Sequence, residues 1–238
     1  MSRRLDDPAL VAEQYAREDR LAARKAVHAR GEGPDALEVT FAAVVEAGPQ
    51  RVLEVGGGEG ELAQRIVHEL GVALVGVDQS PRMVEIQQAK GIDAYVGDVQ
   101  ALPFDDATFD VALAAWMLFH VLDIDRGLSE LARVLRSGGR LVAVTNAIDH
   151  MRELWDLAGR ETSMRKATFR SENGEALLRR HFADVEARHV RSWLTMDDDA
   201  VRGYAGSWEG LNAALDALPL AQPLRVRRLS TVFVATKT

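Results

Sequence analysis

Three acidic residues surround a run of glycines in Glu54-Val55-Gly56-Gly57-Gly58-Glu59-Gly60-Glu61. Glycine has no Cβ, so a ligand can lie against bare main chain there, and positive φ costs little. A helix signal follows directly, with Leu62, Ile66, Val67 and Leu70 on one face. Helix starts of this kind attract phosphates, but Glu59 and Glu61 would repel one and favour a cationic guest. The structural alternative is that acids in a first helical turn complement the helix dipole. Two further carboxylates stand at comparable places. Asp78 closes the apolar run Val75-Gly76-Val77, 18 residues after Gly60, where a carboxylate can accept both hydroxyls of a ribose. Asp98, in Gly97-Asp98-Val99, could accept from an adenine amino group, with the Val99 N–H beside it.

The elements that must position these residues alternate regularly. Arg51 to Val55, Ala73 to Val77, Ala94 to Val96, Phe109 to Ala115 and Arg140 to Thr145 read as strands. Between them lie helices over Glu61 to Leu70, from a Ser80 cap and Pro81 to about Lys90, and over Asp125 to Leu135, the last ended by Ser137-Gly138-Gly139. The strands are nearly continuous apolar runs, as burial on both faces demands, so the pattern predicts an α/β doubly wound parallel sheet. In such sheets ligands sit at the carboxyl ends of the strands, which places the glycine turn, Asp78 and Asp98 together. After Asn146 the rhythm changes. Helical segments near Asp149 to Arg160 and Gly174 to His181, a strand over Asp184 to Trp193, two short helices and a last strand over Arg227 to Ala235 are expected. The expectation is one domain over 1–238, divided into an N-terminal helical cap (1–48), a ligand-binding core (50–147) and substrate-side helices with terminal strands (148–238).

Composition narrows the field. The chain has 238 residues, net charge −7 and no cysteine. Disulfides, cysteine-based zinc sites and thiol nucleophiles are therefore absent, and a cytoplasmic location is expected. No basic patch dominates, so nucleic acid is not the expected partner. The longest apolar run, Val111 to Phe119, falls well short of the roughly 20 residues of a membrane span.

Two cofactor classes compete for the turn. A dinucleotide needs G-x-G-x-x-G; Gly56 and Gly58 fit, but the third position is Glu61. S-adenosyl-L-methionine carries an ammonium and a sulfonium and no phosphate, and suits the acidic E-x-G-x-G-x-G pattern. The chain resembles the class I S-adenosylmethionine-dependent methyltransferases, of the small-molecule type similar to ubiquinone and menaquinone methyltransferases. The resemblance is carried by residues 52–60, by Gly76-Val77-Asp78-Gln79-Ser80-Pro81-Arg82-Met83, by Gly97-Asp98-Val99-Gln100-Ala101-Leu102-Pro103-Phe104, by Phe109-Asp110-Val111 and by residues 133–141. It implies a Rossmann-like seven-stranded sheet whose last strand is antiparallel, with an insert before that strand. It also implies that Gly56, Gly58 and Gly60 form the methionine-side turn supported by Glu54 and that Asp78 holds the ribose. Gln79 and Met83 would lie beside the adenosine, Asp98 and Val99 would read the adenine, and Ala115 would offer backbone to the methionine amino group. Met83 is equally natural as core filler.

Methyl transfer is an in-line displacement in which the protein mainly aligns the nucleophile and excludes water. Trp116, Phe119, His120, Asn146 and His150 follow the fourth and fifth strands, and His120 is the candidate general base. Tyr15, Arg20 and Arg24 are candidates to close over the cofactor. No Asn/Asp-Pro-Pro-aromatic tetrapeptide follows the fourth strand, and its end and the next carry Ala115 and Thr145-Asn146 instead of acids. The expectation is therefore metal-independent transfer to a small-molecule O, N or C acceptor. A nicotinamide-dependent oxidoreductase and a non-catalytic cofactor-binding subunit are the alternatives. Oligomeric state is not legible.

Overall fold

A computed structural model describes residues 6, 31–206, 211 and 222–238. Of the helical cap expected over 1–48, residues 7–30, with Tyr15, Arg20 and Arg24, lie outside the described residues, as does most of the second short helix before the last strand.

Eight strands form one sheet: β1 (Gly31–Glu32), β2 (Arg51–Val55), β3 (Ala73–Asp78), β4 (Asp93–Val96), β5 (Phe109–Ala115), β6 (Leu135–Asn146), β7 (Asp184–Met196) and β8 (Leu224–Thr236). Their spatial order is β1-β7-β8-β6-β5-β2-β3-β4. Strands β4, β3, β2, β5 and β6 run parallel, and β8 is antiparallel to both β6 and β7. The antiparallel last strand paired with Asp184–Met196 matches expectation. The seven-strand count is corrected to eight, because the two-residue β1 adds antiparallel to the edge of β7 through Gly31↔Leu194 and Glu32↔Trp193.

The helices are α1 (Ala36–Ala47), α2 (Glu61–Leu70), α3 (Pro81–Ala89), α4 (Ile124–Val134), α5 (Arg152–Leu157), α6 (Gly174–Leu178) and α7 (Asp198–Gly206). Local chemistry sets their ends. Asp35 caps α1 by accepting from the Leu37 N–H, and Gly48 closes it in the left-handed conformation. Ser80 caps α3 with Pro81 at its first position. Asp197 accepts from the Ala200 N–H at the start of α7, so the Asp197-Asp198-Asp199 run is a helix cap.

Two cores cover the sheet. Phe41, Val44, Ile66 and Val84, from α1, α2 and α3, pack with Val52 and Val111. Leu128, Leu131 and Leu178, from α4 and α6, pack with Leu53, Val55 and Ala112. Alternate residues of β2 thus serve opposite faces, which is the doubly wound arrangement. A satellite core of Met151, Leu154, Leu194, Met196, Val201 and Val226 lies where α5 and α7 meet the long β7–β8 pair.

Several helix boundaries differ from expectation. Helix α4 ends at Val134, and Leu135 already pairs with Phe109. Gly138-Gly139 form a bulge inside β6: Gly138 has φ +73° and donates to the Lys237 carbonyl, so the glycines serve strand pairing instead of a helix stop. The helical segments after Asn146 are shorter than expected, while β7 and β8 extend beyond the expected spans because their pairing runs unbroken from Asp184↔Thr236 to Met196↔Leu224.

Candidate functional site

The chain leaves β2 at the centre of the sheet, with β3 on one side and β5 on the other. This is the switch point at which open α/β sheets bind ligands. The turn after β2 crosses it. Gly56, Gly58 and Gly60 have φ of +63°, +56° and +73°, a region open to glycine and strained for other residues. The Gly56 N–H donates to the Val77 carbonyl at 2.7 Å and the Gly60 N–H to the Gly57 carbonyl at 3.0 Å. A Cβ on Gly56 would lie 2.7 Å from the Met117 Cβ, so the turn also needs glycine to pass the chain leaving β5.

A crevice opens beside the turn. It is lined by Gly56, Gly58, Val77, Asp78, Gln79, Gly97, Val99, Met117, His120 and Val121, with Val55. Of the residues singled out from sequence, Gly56, Gly58, Asp78, Gln79, Val99 and His120 are therefore brought together. Another depression, bounded by Gln100, Leu102, Arg126 and Glu130 among others, shares no lining residue with it. Its walls are tied to one another through Arg126 Nε to the Gln100 carbonyl and the Leu102 N–H to Glu130.

Asp78 is fixed by two main-chain donors, Gly58 N–H to Oδ2 at 3.1 Å and Ser80 N–H to Oδ1 at 2.9 Å. A carboxylate offers about four acceptor sites, which leaves capacity for two ribose hydroxyls. Burial raises its pKa against those same two hydrogen bonds. Glu54 is more extreme. It is 1% exposed, its Oε2 has no hydrogen-bond partner among the described residues, and desolvation, then the charge of Asp78, push its pKa up to about 7. A Cβ at Gly57 would overlap the Glu54 carboxylate. Gly57 is thus glycine to make room for a buried acid below the turn.

The remaining predicted residues play other parts. Gly60 is the N-cap of α2, and a Cβ there would meet Ile92 Cδ1 at 2.7 Å and Gln87 Cγ at 2.8 Å. Its bareness serves packing. Met83 is 1% exposed on α3 and does not line the crevice. The Asp98 carboxylate accepts from the Gln100 N–H and Nε2, while its neighbours Gly97 and Val99 form the wall. Ala115 pairs with Val144 and packs under the α1–α3 core.

On the acceptor side, Trp116 adopts φ +52° immediately after β5, a conformation that costs a bulky residue on the order of 1–3 kcal/mol and clusters at functional sites. Its Nε1–H donates to Asn146 Oδ1 at 3.0 Å, and Ser230 Oγ donates to the same oxygen at 2.8 Å. Trp116 also packs against Phe119, Met164 and Ala167, and the Phe119 ring meets His120 edge-on at 4.4 Å. Two sequence candidates, Trp116 and Asn146, are thereby joined 30 residues apart. His150 is not in the crevice. It is buried, its Nδ1 lies 3.1 Å from the Leu229 N and 3.0 Å from the Leu229 O, and desolvation drives its pKa down to about 4.

Sequence reasoning missed Met117, Gly97, Val121 and, beneath the turn, Gln87. Gln87 donates from Nε2 to the Gly58 carbonyl at 2.7 Å and is 1% exposed. Its signal was a polar residue on the inward face of α3 with Met83 and Val84. Among the described residues no group of three or more His, Asp or Glu is placed to hold a metal ion. No helix there is long and apolar enough to cross a membrane.

Residues 53–143 match the family described as methyltransferase domain. An uncharacterized methyltransferase of Mycobacterium tuberculosis is 38% identical over 124 residues, 50% of each chain. A ubiquinone/menaquinone biosynthesis C-methyltransferase of Geobacter sp. is 35% identical over 105 residues, 40% of this chain and 45% of that one. The chain spans about half the length of the curated relatives it matches. Among solved structures, an S-adenosylmethionine-dependent methyltransferase of Thermotoga maritima, described as a possible histamine N-methyltransferase, superposes with TM-score 0.60 at 22% identity. The superposition covers 94% of this chain and 100% of that one, and shows a shared fold.

Proposed function

We propose that this chain binds S-adenosyl-L-methionine in the crevice after β2 and catalyses metal-independent methyl transfer to a small-molecule acceptor. The reading is carried by Glu54, a buried acid with an unpartnered oxygen directly under a positive-φ glycine turn. An orphaned buried carboxylate is costly unless a cation or donor satisfies it, and the cofactor's ammonium and sulfonium supply positive charge. A pyrophosphate in the same place would meet Asp78 in the lining with Glu54 buried beneath the turn, which weighs against a nicotinamide cofactor.

When bound, the cofactor supplies an activated methyl group with its leaving group attached. The chain's own residues hold and aim it. Asp78 accepts the ribose hydroxyls, Gly56 and Gly58 let the methionine portion lie on main chain, and Gly97, Val99 and Gln79 enclose the adenosine. Met117 and His120 close the wall from the β5 side. Trp116, held by Asn146, forms the apolar face along which an acceptor approaches, and His120 is placed to take a proton where the acceptor must lose one. Alignment with water excluded can supply on the order of 7–11 kcal/mol of the barrier reduction. The likeness to quinone C-methyltransferases favours an aromatic acceptor of quinone type. A cytoplasmic location and the absence of a nucleic-acid partner are part of the same reading.

Calorimetric titration with S-adenosylhomocysteine tests the cofactor. Micromolar binding with no heat from NAD supports the proposal, and the reverse result removes it. Methyl transfer from labelled cofactor to a panel of hydroxylated aromatics then separates an enzyme from a non-catalytic binding subunit.

A further inference from the structure

We propose that Gln87 is a positioning residue for the cofactor turn, a strut reaching from α3 that sets the shape of the Gly58 main chain. The inference rests on the reading that the crevice takes S-adenosylmethionine.

The Gly58 peptide groups are gripped from two directions. The N–H donates to Asp78 Oδ2 at 3.1 Å, and the carbonyl accepts from Gln87 Nε2 at 2.7 Å. One grip comes from the end of β3, the other from the second turn of α3. The neighbouring Glu59 carbonyl is held from the same helix by Lys90 Nζ at 2.8 Å. Helix α3 therefore fixes two successive carbonyls of the turn. With both drawn toward α3, the peptide planes between them have little freedom, since C=O and N–H of a trans peptide point in opposite directions.

The route of this strut explains one glycine, Gly76, and adds to the backbone constraint on a second, Gly60. A Cβ at Gly76 would overlap Gln87 Oε1, and a Cβ at Gly60 would lie 2.8 Å from Gln87 Cγ. Gly76 lacks positive φ, so backbone conformation does not demand glycine there. What demands it is the amide passing over β3. The arrangement also carries a cost. Gln87 Oε1 is buried with no hydrogen-bond partner among the described residues, and an orphaned acceptor of this kind is destabilising. A leucine would fill the same space without that penalty. An amide retained at a core position, against local stability, is accounted for by the one thing leucine lacks, a donor for the Gly58 carbonyl. Fixing the turn before the cofactor arrives removes ordering cost from binding.

The test compares S-adenosylhomocysteine affinity and ligand-free melting temperature across variants of the full chain. Gln87→Leu is expected to raise the dissociation constant about ten-fold, the effect of losing one buried hydrogen bond, with the melting temperature unchanged or higher. A residue with a purely structural role would lower both together. Gly76→Ala is expected to weaken binding in the wild-type background and to have no effect in the Gln87→Ala background, where the space is vacant. This pair decides the matter should Gln87→Leu fail to fold. Wild-type affinity in Gln87→Leu, or equal cost of Gly76→Ala in both backgrounds, overturns the strut. Absence of binding by the wild-type protein instead overturns the cofactor reading on which it stands.

Discussion

The two halves of the sheet use buried polar groups in opposite ways. On the parallel side, β2 and β3 carry Glu54 and Asp78 at their carboxyl ends, carboxylates that no Lys or Arg among the described residues pairs with, and one Glu54 oxygen has no hydrogen-bond partner among those residues. On the antiparallel side, charges are matched. Glu153 takes both the N–H and the Nε of Arg227, Arg188 bridges Glu46 and Glu186, and buried His150 is tied to the Leu229 main chain. The second pattern sets charge against charge and ties α5 and α1 to the β7–β8 pair. The first is satisfied only when something else arrives. Desolvated carboxylates without a cation are expensive, so the pair at the carboxyl ends of β2 and β3 marks a place where a cation or donor would be stabilised.

The comparison would break most decisively at the turn itself. Gly58→Val, which forces a β-branched residue to φ +56°, is expected to lower S-adenosylhomocysteine affinity at least a hundred-fold while the circular dichroism spectrum is retained. Undiminished titration would reduce the turn to a structural link.

The two buried titrating groups give opposed pH slopes. Glu54 has its pKa raised from 4.5 to about 7, so the folded state holds a proton that the unfolded state has lost. Stability falls as pH rises from about 4.5 to 7, by up to about 3 kcal/mol, and Asp78, also raised, adds in the same sense. His150 is lowered from 6.5 to about 4. Here the unfolded state binds the extra proton, and stability falls as pH drops from about 6.5 to 4, by a similar amount. The slopes offset one another in the wild-type protein. Denaturation across pH 4 to 8 should show Glu54→Gln losing stability only toward acid and His150→Gln losing it only toward neutrality. Parallel profiles for both variants would contradict the contrast between halves.

Asp78→Ala is expected to weaken cofactor binding by about 1–3 kcal/mol, because the Gly58 N–H also loses its acceptor. Calorimetry with unchanged affinity would take Asp78 out of the site. Smallest, and specific to the acceptor side, Trp116→Phe removes the donor to Asn146. It should reduce kcat/KM for an identified acceptor several-fold and leave S-adenosylhomocysteine affinity untouched. A full rate for His120→Ala with that acceptor would end its role as base.

Much of the site was legible because its carriers are local. The E-x-G-x-G-x-G turn, Asp78 at a strand end and the Ser80-Pro81 helix start are decided within a few residues, where φ freedom, capping and hydrophobic period act. The parallel, doubly wound sheet followed from alternation, and the antiparallel final strand from family resemblance. Helix α4 was expected to end one residue later than it does because Gly138-Gly139 read as a helix stop, whereas pairing with β5 and the Lys237 hydrogen bond pulled them into a strand bulge.

By itself, the sequence determined where chain reversals, strands and the acidic edge would fall. Only the tertiary structure decided what each glycine is for: Gly56 to pass Met117, Gly57 to cover Glu54, Gly60 and Gly76 to admit Gln87. It alone also joined Trp116 to Asn146 and Ser230. The physical reason is that a missing Cβ reads the same in any sequence, while the atom that fills its place comes from an element distant in the chain.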